Sequence, residues 1–150
     1  MIDTLATPRL GLSLLAVAQA QKEVTHNEAL IVLDALVQAV VEAGPLVAPP
    51  PTPAEGQCWI VGAAATGEWL GQDGAIALWT AGGWRFVAPR EGMRVVRLVD
   101  QMRVRYGDGA WIAPDTVVTP GGGAVIDVEA RAAIAALILN LEAQGLMISG

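Results

Sequence analysis

The sequence is poor in the side chains from which catalytic and metal sites are most often built. Cys58 is the single cysteine, so the chain can form neither an internal disulfide nor a cysteine-based metal site. His26 is the single histidine, which leaves no second imidazole for a zinc site. The two serines, Ser13 and Ser149, lie near the chain ends, and neither occupies a Gly-x-Ser-x-Gly motif. No glycine-rich run matches a phosphate-binding fingerprint. We therefore expect no cofactor, no metal and no enzymatic activity.

Carboxylates are the remaining candidates for catalysis, because paired acids beside aromatic residues are typical of glycoside hydrolases. Six acids lie in the tryptophan-rich middle of the chain, namely Glu55, Glu68, Asp73, Glu91, Asp100 and Asp108. However, Asp73-Gly74 and Asp108-Gly109 are ordinary turn dipeptides, in which Asp bonds to nearby backbone. We favour structural roles for these acids over catalysis.

Long apolar runs and positive charge are also scarce. No apolar run reaches the roughly 18 residues needed to cross a bilayer, so no membrane span is expected. The segment from Leu10 to Ala18 is apolar, but Asp3 lies where a signal peptide is basic, and we expect no signal peptide. The formal charge of −6 argues against a nucleic-acid binder, whose affinity comes mainly from Lys and Arg. The 150 residues, 53% of them hydrophobic, are enough for a folded core.

The positive charge is concentrated locally. Most of the nine basic residues lie between Arg85 and Arg105. Strand alternation places Trp84 and Phe86 on the face opposite Arg85 and puts Arg103 on the same face as Arg105. Solvated strand faces are the favoured interpretation, with a patch for an acidic partner as the alternative. The charge pattern alone does not decide between these two interpretations.

Two glycine-centred segments, LWTAGGWRFV and VRYGDGAWIA, predict β-hairpins. Trp79 and Trp84 flank the first turn, and Tyr106 and Trp111 flank the second at the same spacing. Glycine supplies the positive φ that tight hairpin turns require. We predict six short antiparallel strands, around residues 57–61, 75–79, 84–87, 93–98, 102–106 and 110–112.

The first helix is predicted from Thr25 to Ala43. Thr25-His26-Asn27-Glu28 has the form of a capping box, and Gly44-Pro45 is a typical helix end. Apolar residues recur at helical spacing between these signals, and Asp34 falls on or near the polar face. The fold class that follows is α+β: an N-terminal arm and helix (residues 1–44), a Pro-rich linker (45–54), a small antiparallel β-hairpin module (55–120), then a Gly hinge and a C-terminal oligomerisation-type helix (121–150).

The second predicted helix follows Asp127 as its N-cap, runs to about Ala143 and stops at Gly145. It is apolar nearly all round, and a helix of this kind has to be buried. Two alternatives stay open: packing on the N-terminal helix of the same chain, or on other copies of the chain. The predicted oligomer interface consists of Ala132, Ile134, Leu137, Ile138, Leu139 and Leu141.

The five tryptophans allow two interpretations. Core positions in small hairpins are the commoner role. Alternatively, flat indole faces stack on sugar rings while the N–H groups fix their orientation. The residues predicted for carbohydrate binding are Trp69, Trp79, Trp84 and Trp111.

Three segments together resemble a known but uncharacterised family. They are ATPRLGLSLLAVAQAQKEVTHNEALIVLDALVQ, PAEGQCWIVGAAATGEWLGQDGAIALWTAGGWRFVAPREGMRV and VIDVEARAAIAALILNLEAQGL. The chain resembles short proteins and N-terminal domains of alphaproteobacterial phages and phage-derived gene transfer agents. The resemblance implies a virion component, associated with head spikes or tail fibres that engage host surface polysaccharide, and it brings no catalytic residues.

We therefore expect a non-enzymatic virion structural protein, assembled in the bacterial cytoplasm and acting as the base or as a spike or fibre component in host attachment. The alternative is a carbohydrate-binding adhesin module. Expected partners are other copies of the chain, other virion proteins and host surface polysaccharide. We expect a trimer first, because the fibres that the chain resembles are commonly threefold symmetric. The alternative is a pentamer, which would suit a fivefold head vertex.

Overall fold

Two helices and ten strands make up the part of the chain that the computed structural model describes, residues 5–16, 22–119, 121 and 127–149. The helices are α1 (Lys22–Leu36) and α2 (Val128–Ala143). The strands are β1 (Val40–Val41), β2 (Ala43–Leu46), β3 (Cys58–Val61), β4 (Ile76–Thr80), β5 (Gly83–Val87), β6 (Arg94–Arg97), β7 (Met102–Gly107), β8 (Ala110–Ile112), β9 (Thr116–Val117) and β10 (Ile148–Ser149). The α+β class predicted from the sequence is confirmed.

The described strands form two four-stranded sheets and one small pair. The first sheet has the order β1-β6-β7-β8 and the second the order β2-β3-β4-β5, while β9 pairs with β10. Both four-stranded sheets are mixed, because β1 runs parallel to β6 and β2 runs parallel to β3. The pairings within β3 to β5 and within β6 to β8 are antiparallel, as predicted. The parallel pairing comes from β1 and β2, which the sequence does not predict as strands. The six predicted strands appear as β3 to β8, each end within one residue of the predicted position.

The second sheet has a packed core on each face. Cys58 and Ile60 of β3 belong to one buried cluster, together with Val95 and Val104 of the first sheet. Residues alternate sides along a strand, so Trp59 of β3 belongs to a second cluster on the opposite face. All four residues of β3 are buried, which explains its continuous apolar sequence.

Helix α1 begins earlier and ends earlier than predicted. It starts at Lys22, so Thr25 lies inside the helix instead of capping it. It ends at Leu36, and Gln38 follows in the left-handed region with φ of 54°. Val40 and Val41 are β-branched and pair with β6 in the first sheet, which places them in a strand instead of the last helical turn.

Residues 40 to 46 join the two sheets. The chain leaves β1 in the first sheet and enters β2 in the second, with Glu42 between them donating its backbone N–H to the carbonyl of Cys58 at 2.8 Å. Gly44 has φ of 136°, and a Cβ at this position would lie 2.6 Å from the carbonyl oxygen of Ile60. Gly44-Pro45, predicted as the end of the first helix, therefore lies within β2, where only glycine fits against Ile60.

The N-terminal arm docks on α1 through a buried carboxylate. Asp34 accepts hydrogen bonds from the Thr7 hydroxyl at 2.8 Å and from the backbone N–H groups of Arg9 and Leu10 at 2.9 and 2.6 Å. Arg9 also donates from its guanidinium to the carbonyl of Ala35 at 2.8 Å. Asp34 is therefore buried, although its helical position predicts a polar, outward-facing side chain.

Helix α2 has the bounds predicted for it. The Asp127 side chain caps it by accepting from the backbone N–H of Ala130 at 2.8 Å, and Gly145 follows it with φ of 64°. The segment after the helix is tied to β7, since Arg103 donates its backbone N–H to the carbonyl of Gly145 at 2.9 Å. Among the residues that the structure describes, no helix is long and apolar enough to cross a membrane.

Candidate functional site

Four tryptophans meet on one face of the second sheet. Trp84 lies at the centre, with edge-to-face contacts to Trp79, Trp69 and Trp59 at centroid distances of 5.0, 5.2 and 5.6 Å. Trp79 and Trp84 are direct cross-strand partners on β4 and β5. Edge-to-face packing of this kind stabilises a core by about 0.5–1.5 kcal/mol per pair beyond the area buried. The tryptophan cluster is thus first a structural element of the second core.

The predicted sugar-stacking residues are not equivalent within this cluster. Trp69 is 0% exposed, on the short 3₁₀ turn Gly67–Trp69, so its ring faces no solvent and cannot stack on a ligand in this conformation. Trp79 and Trp84 are half-buried. Trp84 donates its indole N–H to the Glu68 carboxylate at 3.2 Å. The accessible part of the cluster is therefore the pair Trp79 and Trp84, with Glu68 beside it.

Trp111 belongs to a different part of the molecule. It lies on β8 of the first sheet, opposite Tyr106, with ring centroids 5.4 Å apart. Its indole N–H donates to the carbonyl of Gly74 at 2.8 Å, and its half-buried ring packs against the core between the sheets. The structure therefore does not bring Trp111 together with the other three predicted sugar-binding residues.

The carboxylates of the middle region have structural partners. Asp73 accepts from the backbone N–H groups of Ala64 and Ala65 at 2.9 and 3.1 Å, which fixes the loop before β4. Glu91 accepts from the backbone of the Asp108-Gly109 turn at 3.3 Å to each residue. Asp73 and Glu91 therefore hold a loop and a turn in place, through backbone groups that are distant in sequence and not those of their own turns.

Asp100 pairs with Arg97, three residues earlier in the chain. Its carboxylate accepts from the Arg97 guanidinium, and this hydrogen bond lowers its pKa below the ordinary 3.8. No group of three His, Cys, Asp or Glu side chains placed to hold a metal ion occurs within residues 5–16, 22–119, 121 and 127–149.

Cys58 is enclosed in the core between the sheets. Burial raises the pKa of its thiol from 9.0 to about 11, with only partial compensation from the positive charge of Arg9. A neutral, enclosed thiol is neither a nucleophile nor a metal ligand near neutral pH. Cys58 therefore acts as a small apolar core residue.

Helix α2 carries an apolar surface that the described residues of the chain do not cover. Leu137 and Leu139 are 62% and 65% exposed, while Ile138 is 6% exposed and is the buried contact of the helix. Of the other residues predicted for the oligomer interface, Ala132, Ile134 and Leu141 are all exposed. Neither core cluster includes a residue of α2, whereas α1 packs on the sheets through Ala35. The expectation that α2 is buried is thus not met by the residues of one chain that the structure describes.

Comparison with known proteins places the chain in a family. Residues 26–112, more than half of the chain, match the model of DUF2793, a family described as proteins of unknown function. The chain belongs to the DUF2793 family. The DUF2793 match begins at His26 in α1 and ends at Ile112, the last residue of β8, so it takes in both four-stranded sheets and omits α2. No curated protein matches the chain.

The family boundary separates two kinds of surface. The tryptophan cluster and the arginine-bearing strands β6 and β7 lie inside the DUF2793 region, and the exposed apolar helix α2 lies outside it. Two features of these surfaces are not predicted from the sequence: Glu68 as the partner of Trp84, and Arg94 as a neighbour of Arg103 and Arg105. Glu68 lies on the 3₁₀ turn and Trp84 on β5, and Arg94 becomes a neighbour of Arg105 through the register of the β6–β7 pair. No periodicity in the sequence specifies either contact.

Proposed function

We propose that this DUF2793 protein is a non-enzymatic structural component of a phage or gene transfer agent particle, the base or a spike or fibre subunit used in host attachment. The observation that carries the proposal is the exposed apolar surface of α2, which suits a chain built to assemble with others. The resemblance of the sequence to virion proteins is what suggests that this assembly is part of a phage or gene transfer agent particle.

The assembly is a closed homo-oligomer formed through α2. Leu137 and Leu139 point away from their own chain and leave a surface of the kind that marks protein–protein interfaces. Identical copies usually bury such a surface by closed cyclic symmetry, which keeps the assembly finite. A trimer is the first expectation and a pentamer the second. Other virion proteins contact the finished oligomer.

Light scattering on the purified chain tests the assembly step. Leu137→Glu and Leu139→Glu place carboxylates on the proposed interface, where burying them is costly, and we expect the double variant to be a folded monomer. Leu70→Glu is the matched control, because Leu70 is 76% exposed on a loop of the second sheet and its variant should keep the oligomer. A monomeric wild-type chain at high concentration would remove the interface from the proposal.

A second candidate function is carbohydrate binding by the half-buried pair Trp79 and Trp84. Trp84 donates to the Glu68 carboxylate and Trp79 packs on Trp84, and an aromatic face beside an acceptor is an arrangement that suits sugar rings and hydroxyls. Host surface polysaccharide is the expected ligand. Trp79→Ala should abolish its binding while Trp111→Phe leaves binding unchanged, as measured by titration with purified host polysaccharide.

A further inference from the structure

The outer face of the first sheet collects three arginines. Val95 and Val104 point into the core, so the residues on either side of them point outward. Arg94 on β6 lies directly opposite Arg105 on β7, and Val96 lies opposite Arg103. Arg94, Arg103 and Arg105 therefore share one exposed face, which we call the arginine face.

A groove of about 710 Å³ runs over the arginine face. The end of α1 and the residues after β8 and α2 contribute to its walls, and the sheet forms its floor. The floor between the guanidinium groups is apolar. The apolar side chains that lie on the same sheet face as the arginines and line the groove are Val40, Val96 and Ile112.

The three guanidinium groups have no acid to balance them within the described chain. Arg85 and Arg97 pair with Glu28 and Asp100, but Arg94, Arg103 and Arg105 form no ion pair or side-chain hydrogen bond with another described residue. Like charges directly opposite one another on a sheet destabilise it. An external anion would relieve the repulsion between Arg94 and Arg105 and make charge-assisted hydrogen bonds with both.

Arg105 is one of the residues that line the groove, and its side chain extends along β7. Its guanidinium lies above Gly107, where a Cβ would collide with it, and beside Ile112. Arg103 and Arg105 are two residues apart on one strand, so their side chains start about 6.8 Å apart. Carboxylates two residues apart on an extended segment have the same separation.

We infer that the arginine face is a docking groove for an acidic, partly apolar segment of a protein partner, which lays carboxylates on the three arginines and apolar side chains on the floor. Charge complementarity and the apolar floor together select this occupant. Proteins that bind single-stranded nucleic acid stack its bases on aromatic side chains, and the aromatic pair of this sheet, Tyr106 and Trp111, lies on its other face. The net charge of −6 opposes binding of a duplex, whose affinity comes mainly from phosphate contacts. A neutral polysaccharide would need a ring-stacking surface, which the valines and isoleucine do not supply. An acidic polysaccharide would pair with the arginines but would leave the apolar floor without an apolar partner.

A binding titration with defined probes tests the inference. The probe is a short fluorescent peptide in which Glu alternates with Val, added to the intact chain and followed by anisotropy. One control peptide replaces each Glu by Gln and removes the charge. A second replaces each Val by Ser and removes the apolar contact. We expect both controls to bind more weakly than the probe, and we expect the affinity for the probe to fall as salt is added.

Protein variants locate the site. Arg94→Gln, Arg103→Gln and Arg105→Gln should each weaken binding about fivefold, the upper end of what one exposed ion pair contributes. Arg90→Gln is the matched control, since Arg90 is an exposed arginine outside the groove and its loss changes the net charge equally. Unchanged binding by the triple variant, or equal loss in Arg90→Gln, would overturn the assignment. Circular dichroism confirms that each variant is folded.

Two further probes separate the classes of partner. Polygalacturonate carries carboxylates on a sugar chain, and a single-stranded oligonucleotide carries phosphates. Tighter binding of either probe than of the Glu-Val peptide, with loss in the arginine variants, would assign the groove to that polymer and refute the protein segment. The test is independent of the α2 interface, because Leu137→Glu with Leu139→Glu should leave peptide binding unchanged.

Discussion

Removing the carboxylate of Asp34 should destabilise the protein far more than removing an exposed acid from the same helix. Asp34 is 1% exposed and accepts three hydrogen bonds from the N-terminal arm, at 2.8, 2.9 and 2.6 Å. Hydrogen bonds to a charged group contribute about 1.5–3 kcal/mol each. The donors belong to an N-terminal arm that can detach, after which water can hydrogen-bond to them. The loss of stability is therefore limited to the free energy with which residues 5–16 dock on α1. We expect about 3 kcal/mol for Asp34→Ala.

The comparison variant is Glu28→Ala. Glu28 lies on α1 as well, but it is exposed and pairs only with the exposed Arg85. Such pairs contribute at most about 1 kcal/mol. Urea unfolding gives both free energies, and hydrogen exchange should show that the amides of Arg9 and Leu10 lose protection only in Asp34→Ala. If Asp34→Ala costs no more than Glu28→Ala, the arm is not held by this carboxylate and the reasoning fails.

Two other perturbations follow from the core. Cys58 should resist Ellman's reagent at pH 8 until the chain unfolds, because its pKa is raised to about 11 by burial. Because the pKa of Cys58 is raised, the neutral thiol stabilises the fold fully below pH 9.0, and this stability is lost as the pH rises towards about 11. The wild type should therefore lose stability relative to Cys58→Ala over that range. Equal pH profiles for the two proteins would contradict the assignment. Gly44→Ala should cost about 2–4 kcal/mol in urea unfolding, because it adds a collision with Ile60 to an unfavourable φ. Gly71→Ala, with φ of 78° and open space around it, should cost only about 1–2 kcal/mol, and an equal cost for the two would show that the contact with Ile60 is relaxed.

The parts of the fold that the sequence predicts are those bounded by local turn and helix-capping residues. Strands β3 to β8 are bracketed by glycines and turn dipeptides, and Asp108 and Gly109 both adopt the positive φ that a tight hairpin turn needs. Helix α2 has its cap and its stop in the sequence, at Asp127 and Gly145. Local signals of this kind act within a few residues and are visible without the structure.

The parts that the sequence does not predict depend on distant partners. Val40 and Val41 continue the apolar pattern of α1, and only their pairing with β6 makes them a strand. Trp69 is buried because Trp84, on another strand, lies against it. Asp34 is buried because residues 7–10 fold over it. The arginine face depends on neighbouring strands instead, because it follows from the register of β6 with β7, which no periodicity specifies.

Locating the chain in intact particles tests the central claim most directly. Phage or gene transfer agent particles would be purified from the bacterium that encodes the chain, which would carry an epitope tag, and imaged with labelled antibody and by single-particle averaging. The account predicts closed rings of three or five copies at a spike or fibre base, joined through the α2 helices, and reduced adsorption of particles that lack the chain. Particles that contain none of the tagged chain, and adsorb normally when its gene is deleted, would contradict the account.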